Sequence, residues 1–287
     1  MHAINPNLVS KEVARDGVSV IGPKLQRISL WAIYEYRELL LALVLRQLTV
    51  RYKQTAVGLG WIVLQPLVMM IILTVIFGKF PGLAPAHVPY PLFILASYIP
   101  WQMFARVVGE GTGSLIAEQS LIARVYFPRV IVPLAVVMVG AFDLILLLVL
   151  FFVGYVIYVP ELISLRLLAL PIFFAILVLS VSGIILWTSA LNVRFRDFGI
   201  IVPFALTVLF FLTPIIYGPE FWPKDLVYIL SFNPMLLIVD GFRWALFGIE
   251  HSSLISEALS LSTTVLAFIT GLYYFQKKAD DFVDDLC

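Results

Sequence analysis

The side chains able to do bond chemistry are few in this sequence and lie far apart. His2, His87 and His251 occupy separate polar or loop segments, so a histidine metal site is not expected. The chain has no G-x-x-x-x-G-K-[ST] phosphate-binding loop, and no Ser/His/Asp arrangement stands out. We therefore expect no enzymatic reaction, no metal and no cofactor in this chain.

Three ionisable residues stand inside long apolar runs or near their ends. Asp143 lies deepest, in the run Val130–Val159, whereas Arg106 and Glu257 lie near the ends of theirs. Ionisable groups at membrane depth are functional candidates by default. Because long side chains near the end of a run can reach the interface, a structural role is favoured for Arg106 and Glu257.

The composition is that of an integral membrane protein. Of the 287 residues, 61% are hydrophobic and 13% are charged, whereas soluble domains carry about 25% charged residues. The formal net charge of +1 gives no general attraction to nucleic acid. The single cysteine, Cys287, excludes an internal disulfide. Residues 1–30 are polar and carry no apolar stretch typical of a cleavable signal peptide.

Six apolar stretches are long enough to cross a bilayer as helices, which takes about 20 residues. The predicted spans are Val57–Phe77, Tyr90–Val108, Val130–Val159, Leu167–Leu191, Phe198–Tyr217 and Leu254–Phe275. A seventh stretch, Leu226–Ile249, is interrupted by Asn233-Pro234 and Asp240-Gly241, which leave pieces too short to cross. We expect a broken re-entrant or interfacial hairpin there. The predicted fold class is all-α integral membrane.

Lysine and arginine are distributed unevenly between the segments that join these spans. With the N-terminus inside, the outer segments hold Lys79, Arg166, Lys224 and Arg243, and the inner segments hold the other fifteen of the 19. Positive residues gather on the cytoplasmic side of membrane proteins. Six spans with both termini cytoplasmic fit this rule.

The segment Trp31–Lys53 is predicted to be an amphipathic helix along the membrane interface. Its polar residues recur three or four positions apart, as on one face of a helix. The residues assigned to this interface helix are Glu35, Glu38, Arg46, Arg51 and Lys53. Its longest apolar stretch, Leu39–Leu45, is too short to cross the bilayer, so an interfacial position fits better. A plain connector helix is the alternative.

The loop between the second and third predicted spans carries a candidate docking element. Gly109, Gly111 and Gly113 are expected to end the span. Apolar residues then recur near helical spacing over Leu115–Val125, until Pro128 ends the helix. Such a short amphipathic helix could bind a cytoplasmic partner, although a merely connecting loop would obey the same charge rule.

Aromatic residues make up 14% of the chain, and many gather in and after the fifth predicted span. For part of this set, the aromatic belt found at any membrane interface is a sufficient explanation.

Several motifs, taken together in their order and spacing, resemble one known family. They are RQLTVRYKQTAVGLGWIVLQP (Arg46–Pro66), SLIARVYFPR (Ser120–Arg129), NVRFRD (Asn192–Asp197), TPIIY (Thr213–Tyr217), and FNP (Phe232–Pro234) followed by Arg243. Over residues 31–275 the chain resembles the ABC-2 type permeases that export polysaccharides, most nearly the Wzm- and TagG-like exporters of O-antigen and teichoic acid.

The resemblance implies a homodimer in the bacterial inner membrane, paired with two copies of a separate ATPase subunit that binds ATP and Mg. It implies that residues 31–53 form the interface helix of the family and that residues 221–247 form its periplasmic gate. The residues that it places in the element coupled to the ATPase are Glu110, Leu115, Glu118, Leu121 and Arg124.

A lipid-linked polysaccharide must traverse such a permease without binding so tightly that it stops. Aromatic faces suit this, because they contact the apolar CH face of a sugar ring without demanding one hydrogen-bond pattern. We assign a substrate channel to Tyr98, Trp101, Phe210, Phe211 and Tyr217, and a gate at its outer end to Trp222, Phe232, Phe242 and Trp244.

The predicted organisation has four parts and leaves two other functions open. Residues 1–30 form a polar cytoplasmic segment, 31–53 the interface helix, 54–275 the six-span domain, and 276–287 a cytoplasmic tail. An ABC-2 exporter of drugs or small lipids would share the six spans. A membrane enzyme acting on lipid-linked sugars would need a cluster of His, Asp, Glu or Arg on one side, which the sequence lacks.

Overall fold

The computed structural model describes residues 9–13, 19–23, 30–53, 58, 60–80, 82–83, 85, 87–162, 164–218, 224–249, 253–279 and 282. Within them the chain is almost entirely helical. The exception is an antiparallel hairpin of Val9–Val13 (β1) and Ser19–Pro23 (β2). Residues 1–30 are predicted from the sequence only as a polar segment, so this hairpin was not expected.

The helices follow one another along the chain with short connections. They are α1 (Leu30–Glu35), α2 (Arg37–Lys53), α3 (Gly60–Phe77), α4 (Tyr90–Ala117), α5 (Gln119–Arg124), α6 (Ile131–Tyr158), α7 (Leu170–Arg194), α8 (Phe198–Leu212), α9 (Lys224–Leu230), α10 (Pro234–Phe247) and α11 (Leu254–Lys278). Two short 3-10 helices, Pro160–Leu162 and Leu165–Ala169, lie between α6 and α7.

The all-helical membrane fold predicted from the sequence is confirmed. In the described residues, the five helices α3, α4, α6, α7 and α11 are long and apolar enough to cross a bilayer. The predicted fifth span differs, because α8 has only 15 residues. At 1.5 Å per residue it is about 22 Å long, shorter than the roughly 30 Å of bilayer hydrocarbon.

Beyond α8 the chain continues without helical structure through Thr213–Tyr217, which we call the TPIIY segment. Pro214 has no backbone N–H and biases the preceding residue toward an extended conformation. Thr213 has that conformation, with φ −96° and ψ 133°. Thr213, Ile215 and Ile216 are buried, as irregular backbone at membrane depth must be.

The stretch Leu226–Ile249, predicted to be a broken hairpin, consists of two separate helices, α9 and α10. Asn233 separates the two helices, and its side chain caps α10 by accepting a hydrogen bond from the Met235 backbone N–H at 2.9 Å. Asp240-Gly241 does not interrupt α10, because Gly241 lies directly against the Phe173 ring. Gly248 ends the helix at φ 70°. Helix α10 has 14 residues and spans about 21 Å, so it is too short to cross the bilayer alone.

Helix α4 runs unbroken from Tyr90 to Ala117, so the expectation that Gly109, Gly111 and Gly113 end the span is wrong. A Cβ on Gly111 would lie 2.9 Å from the Ile185 side chain of α7. Close packing on α7 thus outweighs the weak helix propensity of glycine.

We call the end of the bundle near Tyr90 and α10 the α10 end, and the end near Ala117 and α5 the α5 end.

Helix α2 lies at the α5 end and packs against α6 through Leu40, Leu43 and Val44, which are buried. Most of the predicted polar residues are exposed, as are Leu41 and Leu45, whereas Arg51 is half-buried. The helix therefore has a buried face, a polar face and an apolar face that remains free for lipid. A turn at Tyr36 separates it from α1.

Helices α7 and α11 approach each other most closely at two glycines. A Cβ on Gly183 would lie 2.6 Å from the backbone N of Phe268, and one on Gly271 would lie 2.5 Å from the Gly183 carbonyl oxygen. Small residues at a crossing let membrane helices pack backbone to backbone. Next to this crossing, Trp187 stacks on Tyr274 with ring centroids 4.4 Å apart.

Candidate functional site

Asp143 of α6 is the centre of a polar network that joins four helices. Arg51 of α2 and Arg106 of α4 both donate hydrogen bonds to its Oδ2, at 2.8 and 2.9 Å. The hydroxyl of Tyr52 donates to Oδ1. Only 6% of the Asp143 side chain is exposed, and a buried carboxylate is tolerated when it is paired and hydrogen-bonded in this way.

The network continues to α3 through two amide side chains. Arg106 donates to Gln65 Oε1 at 2.8 Å, and Gln102 donates to the same oxygen at 3.2 Å. Burial, reinforced by the hydrogen bond to Asp143, raises the pKa of Tyr52 to about 12. The phenol therefore stays protonated and remains a donor at neutral pH.

Two ion pairs join α2 to α4 and its continuation. Arg51 pairs with Glu110 of α4, and Arg46 pairs with Glu118, the residue between α4 and α5. Both arginines belong to the predicted interface helix, and both glutamates belong to the predicted coupling element. The structure brings these two predicted sets into direct contact.

The other residues predicted for coupling differ in exposure. Leu115 is fully buried and packs in one cluster with Leu43 of α2 and Ile122 of α5. Leu121 is half-buried, and Arg124 is exposed at the end of α5. In the interface helix, Glu35, Glu38 and Lys53 are exposed. The surface of α5 is therefore available to a partner, while its apolar side is attached to α2.

Four of the five predicted channel aromatics form one cluster between α4 and α8. Phe210 lies 5.7 Å from Trp101, 6.3 Å from Tyr98 and 5.3 Å from Phe211, measured between ring centroids. Phe211 is 62% exposed, whereas Trp101 is buried. Tyr217 is attached to the same cluster, since its hydroxyl donates to the Phe211 carbonyl oxygen at 2.8 Å.

A groove of about 460 Å³ runs between α3 and α4 beside this cluster. Aromatic, polar and aliphatic side chains line it together. The aromatic and polar ones are Trp61, Gln65, Tyr98, Trp101, Gln102 and Arg106, and the aliphatic ones include Leu64, Val68, Met69 and Ile72. The groove thus connects the aromatic cluster with the Asp143 network, so both belong to one site.

The residues predicted for the outer gate are not brought together as a set. Phe242 is fully buried in α10, and Phe232 is 59% exposed in the turn before it. Trp244 is half-buried and packs edge-on against Phe173, with centroids 6.5 Å apart. Trp222 lies outside the described residues.

Sequence reasoning missed part of this site. Gln65 was recognisable from the sequence, because it is a polar residue in a span that carries no charge. Tyr52 and Gln102 had none, since their role depends on how α2 and α4 lie against α6. Within the described part of the chain, no group of three or more His, Cys, Asp or Glu side chains could hold a metal ion.

The sequence matches the ABC-2 type transporter family over residues 38–247. The chain therefore belongs to this family of membrane transport proteins. It is 28% identical over 251 residues to an O-antigen export system permease protein, RfbA, of Klebsiella pneumoniae, covering 87% of this chain and 95% of that protein.

Two further relatives match most of this chain at somewhat lower identity. The O-antigen export system permease protein RfbA of Myxococcus xanthus is 26% identical, with 88% of this chain and 97% of that protein covered. The polysialic acid transport protein KpsM of Escherichia coli is 23% identical, with 83% and 93% covered. These relatives are transporter permeases, so the chain is a multi-pass membrane permease and not an enzyme.

Proposed function

We propose that this chain is the permease subunit of an ATP-driven exporter that moves a lipid-linked polysaccharide across the inner membrane. In this proposal two copies of the chain form the channel and two copies of a separate ATPase subunit, which binds ATP and Mg, dock on its cytoplasmic side. Both termini and the α5 end face the cytoplasm.

The aromatic cluster beside the groove carries this proposal. Its rings offer faces to the CH surfaces of successive sugars, and the Gln65, Gln102 and Arg106 side chains offer hydrogen bonds to hydroxyl or acidic groups. A groove for a drug or small lipid would not need these polar groups beside its rings. The names of the relatives, O-antigen export and polysialic acid transport, support a polysaccharide substrate.

A second copy of the chain would close this groove into a channel. Helix α3 is mostly exposed, with large apolar side chains such as Ile71 and Val75 on its surface. Helix α8 likewise exposes Ile200 and Phe204. These two helices flank the groove, so a partner that covers them would enclose it while burying apolar surface.

The sixth crossing in this proposal combines α8 with the TPIIY segment. The helix contributes about 22 Å, and the buried TPIIY segment continues the chain beyond it. The two together form the sixth crossing in this proposal. An even number of crossings keeps both termini on the side favoured by the lysine and arginine distribution.

The ATPase is proposed to dock on α5 and the residues that follow it. Val125 and Tyr126 are about half exposed beside Arg124, which gives a small apolar surface with a positive charge. This surface is attached to α2 through Arg46 and Glu118, so movement of a docked subunit would reach the interface helix.

Alanine substitutions in the aromatic cluster test the proposal. Tyr98→Ala and Phe211→Ala should each lower polysaccharide export about fivefold, since one aromatic contact is worth about 1 kcal/mol. Export is measured as surface glycan per amount of permease in the membrane. Tyr273→Ala is the matched control, because Tyr273 is 67% exposed on α11, away from the groove.

Two results would contradict the proposal. If the alanine variants at all the assigned channel and gate positions exported glycan at the wild-type level, the aromatic channel would be wrong. If cells lacking the permease kept a normal surface polysaccharide, the substrate class itself would be wrong.

A further inference from the structure

The TPIIY segment lacks the backbone hydrogen bonds that a helix would provide. Three of its carbonyl groups, those of Ile215, Ile216 and Tyr217, are hydrogen-bonded to side chains of other helices. Irregular backbone at membrane depth depends on such donors, because no water is there to replace them. The conformation of the segment is therefore set by those side chains.

Arg243 of α10 supplies two of these hydrogen bonds. Its Nη2 donates to the Ile215 carbonyl oxygen at 2.9 Å, and its Nη1 donates to that of Tyr217 at 3.1 Å. Only 2% of Arg243 is exposed. One guanidinium thus spans two carbonyls that are two residues apart.

The same guanidinium is fixed by α4. Its Nε donates to Ser97 Oγ at 2.7 Å, and its Cζ lies 3.8 Å from the centre of the Phe93 ring. Helix α4 also contacts the segment directly, because the Tyr90 hydroxyl donates to the Ile216 carbonyl oxygen at 3.0 Å. The segment is therefore held between α4 and α10, with Arg243 in contact with both.

The segment connects this arginine to the aromatic cluster. Phe210 and Phe211 lie just before it at the end of α8, and the Tyr217 hydroxyl donates back to the Phe211 carbonyl oxygen. At the α10 end, Asn233 donates to Thr213 Oγ1 at 2.8 Å. A displacement of α10 would therefore pull on the backbone that carries the channel aromatics.

We infer that Arg243 is a positioning residue of the channel. It holds the TPIIY segment in its non-helical conformation, and it transmits the position of α10 to Phe210 and Phe211. This inference rests on the proposed function for its consequence in export, but its geometric part does not depend on the substrate. Lysine could not replace the arginine, because an ammonium cannot bridge two carbonyls with a planar fork and stack on Phe93.

The geometric part is tested by the accessibility of a single cysteine. Cys287→Ser removes the one native cysteine, and Ile215→Cys then places a thiol at a fully buried position. In the full-length protein in lipid nanodiscs, a water-soluble maleimide should label this thiol slowly. Adding Arg243→Lys should raise the labelling rate about tenfold or more, since charge-assisted hydrogen bonds are lost.

Two further variants make the result decisive. Tyr90→Phe removes one hydrogen bond to Ile216 and leaves the charge in place, so it should raise labelling by a smaller factor. It decides the question if the Arg243→Lys protein cannot be purified. Arg194→Lys, at an exposed arginine of α7, should leave labelling unchanged. Labelling at the wild-type rate in both Arg243→Lys and Tyr90→Phe would overturn the inference.

The consequence for transport is read from the ratio of ATP hydrolysed to polysaccharide exported by the complex with its ATPase. Arg243→Lys should raise this ratio about tenfold, whereas a loss of folded protein would lower both quantities together. If labelling increased but this ratio did not change, Arg243 would hold the TPIIY segment without transmitting the position of α10 to Phe210 and Phe211. If the wild-type complex itself exported no polysaccharide while Arg243→Lys still increased labelling, the proposed function would be refuted and the geometric part of the inference would stand.

Discussion

Asp143 receives two guanidinium groups on one carboxylate oxygen. Arg51 also pairs with Glu110, and Arg106 also donates to Gln65. Asp143→Asn keeps the shape of the side chain but removes its charge. Breaking a buried pair from one side costs about 3 kcal/mol, so we expect a clear fall in the melting temperature of the purified protein. Asp197→Asn, at an exposed position before α8, is the control.

The same substitution should also release α2 from α6, because Arg51 and Tyr52 lose their common partner. Protease sensitivity or thiol labelling of α2 would report this. If Asp143→Asn melted like the wild type with α2 equally protected, the network would have no role in holding the interface helix.

At the residue scale, the sequence could indicate which side chains are out of place in an apolar run but not what they contact. Asp143 was recognisable because it lies among apolar residues. Its partners Arg51 and Tyr52 are 92 and 91 positions away along the chain. Only the packing of α2 on α6 brings them to it, and that packing is a property of the folded bundle.

At the element scale, exchanging the charges of Arg46 and Glu118 distinguishes a role of this ion pair within the chain from a role in docking the ATPase. Arg46→Glu or Glu118→Arg alone should lower export, because each places like charges together where an ion pair stood. The double exchange should restore export if the pair acts within the chain. The effect of each single change is limited to about fivefold, since an exposed pair is worth at most about 1 kcal/mol.

Arg124→Glu provides the comparison, because Arg124 is exposed on α5. If it contacts the ATPase, its defect will not be relieved by any exchange within this chain. A double exchange that stayed as defective as the single changes would assign Glu118 to the docking surface as well.

The crossing of α7 and α11 gives a second prediction at this scale. Gly183→Ala would put a methyl group 2.6 Å from the backbone of Phe268, and overpacking of this kind costs about 1–3 kcal/mol. We expect a lower yield of folded protein and a lower melting temperature. Gly154→Ala is the control, because nothing lies within 4 Å of its added Cβ. Equal stability of the two variants would contradict the close crossing.

Helices and the breaks between them were predictable where the local sequence determines them. The five long spans and the interruption at Asn233-Pro234 follow from hydropathy and from proline. The continuity of α4 through Gly109, Gly111 and Gly113 was not predictable, because it depends on packing such as that of Gly111 against Ile185 of α7. The early end of α8 likewise depends on side chains of α4 and α10 that satisfy the carbonyls beyond it.

At the scale of the whole molecule, the purified chain alone should not hydrolyse ATP. Its sequence has no loop that could bind the phosphates, and the relatives it matches are permease subunits. Adding the partner ATPase should produce hydrolysis that depends on Mg. Turnover by the isolated chain above the level of a vector-only preparation would show that the division of labour proposed for the complex is wrong.

The unbroken helix α4 has a mechanical consequence. Its 28 residues span about 42 Å, and Pro100 removes one hydrogen bond without ending the helix. Near one end Glu110 pairs with Arg51 of α2, and at the other end the Tyr90 hydroxyl donates to the TPIIY segment. Such a helix acts as a lever arm: a tilt of about 5° at one end displaces the other by about 4 Å. Under the proposed function, a small displacement at the α5 end would move the α10 end by about the thickness of one sugar ring.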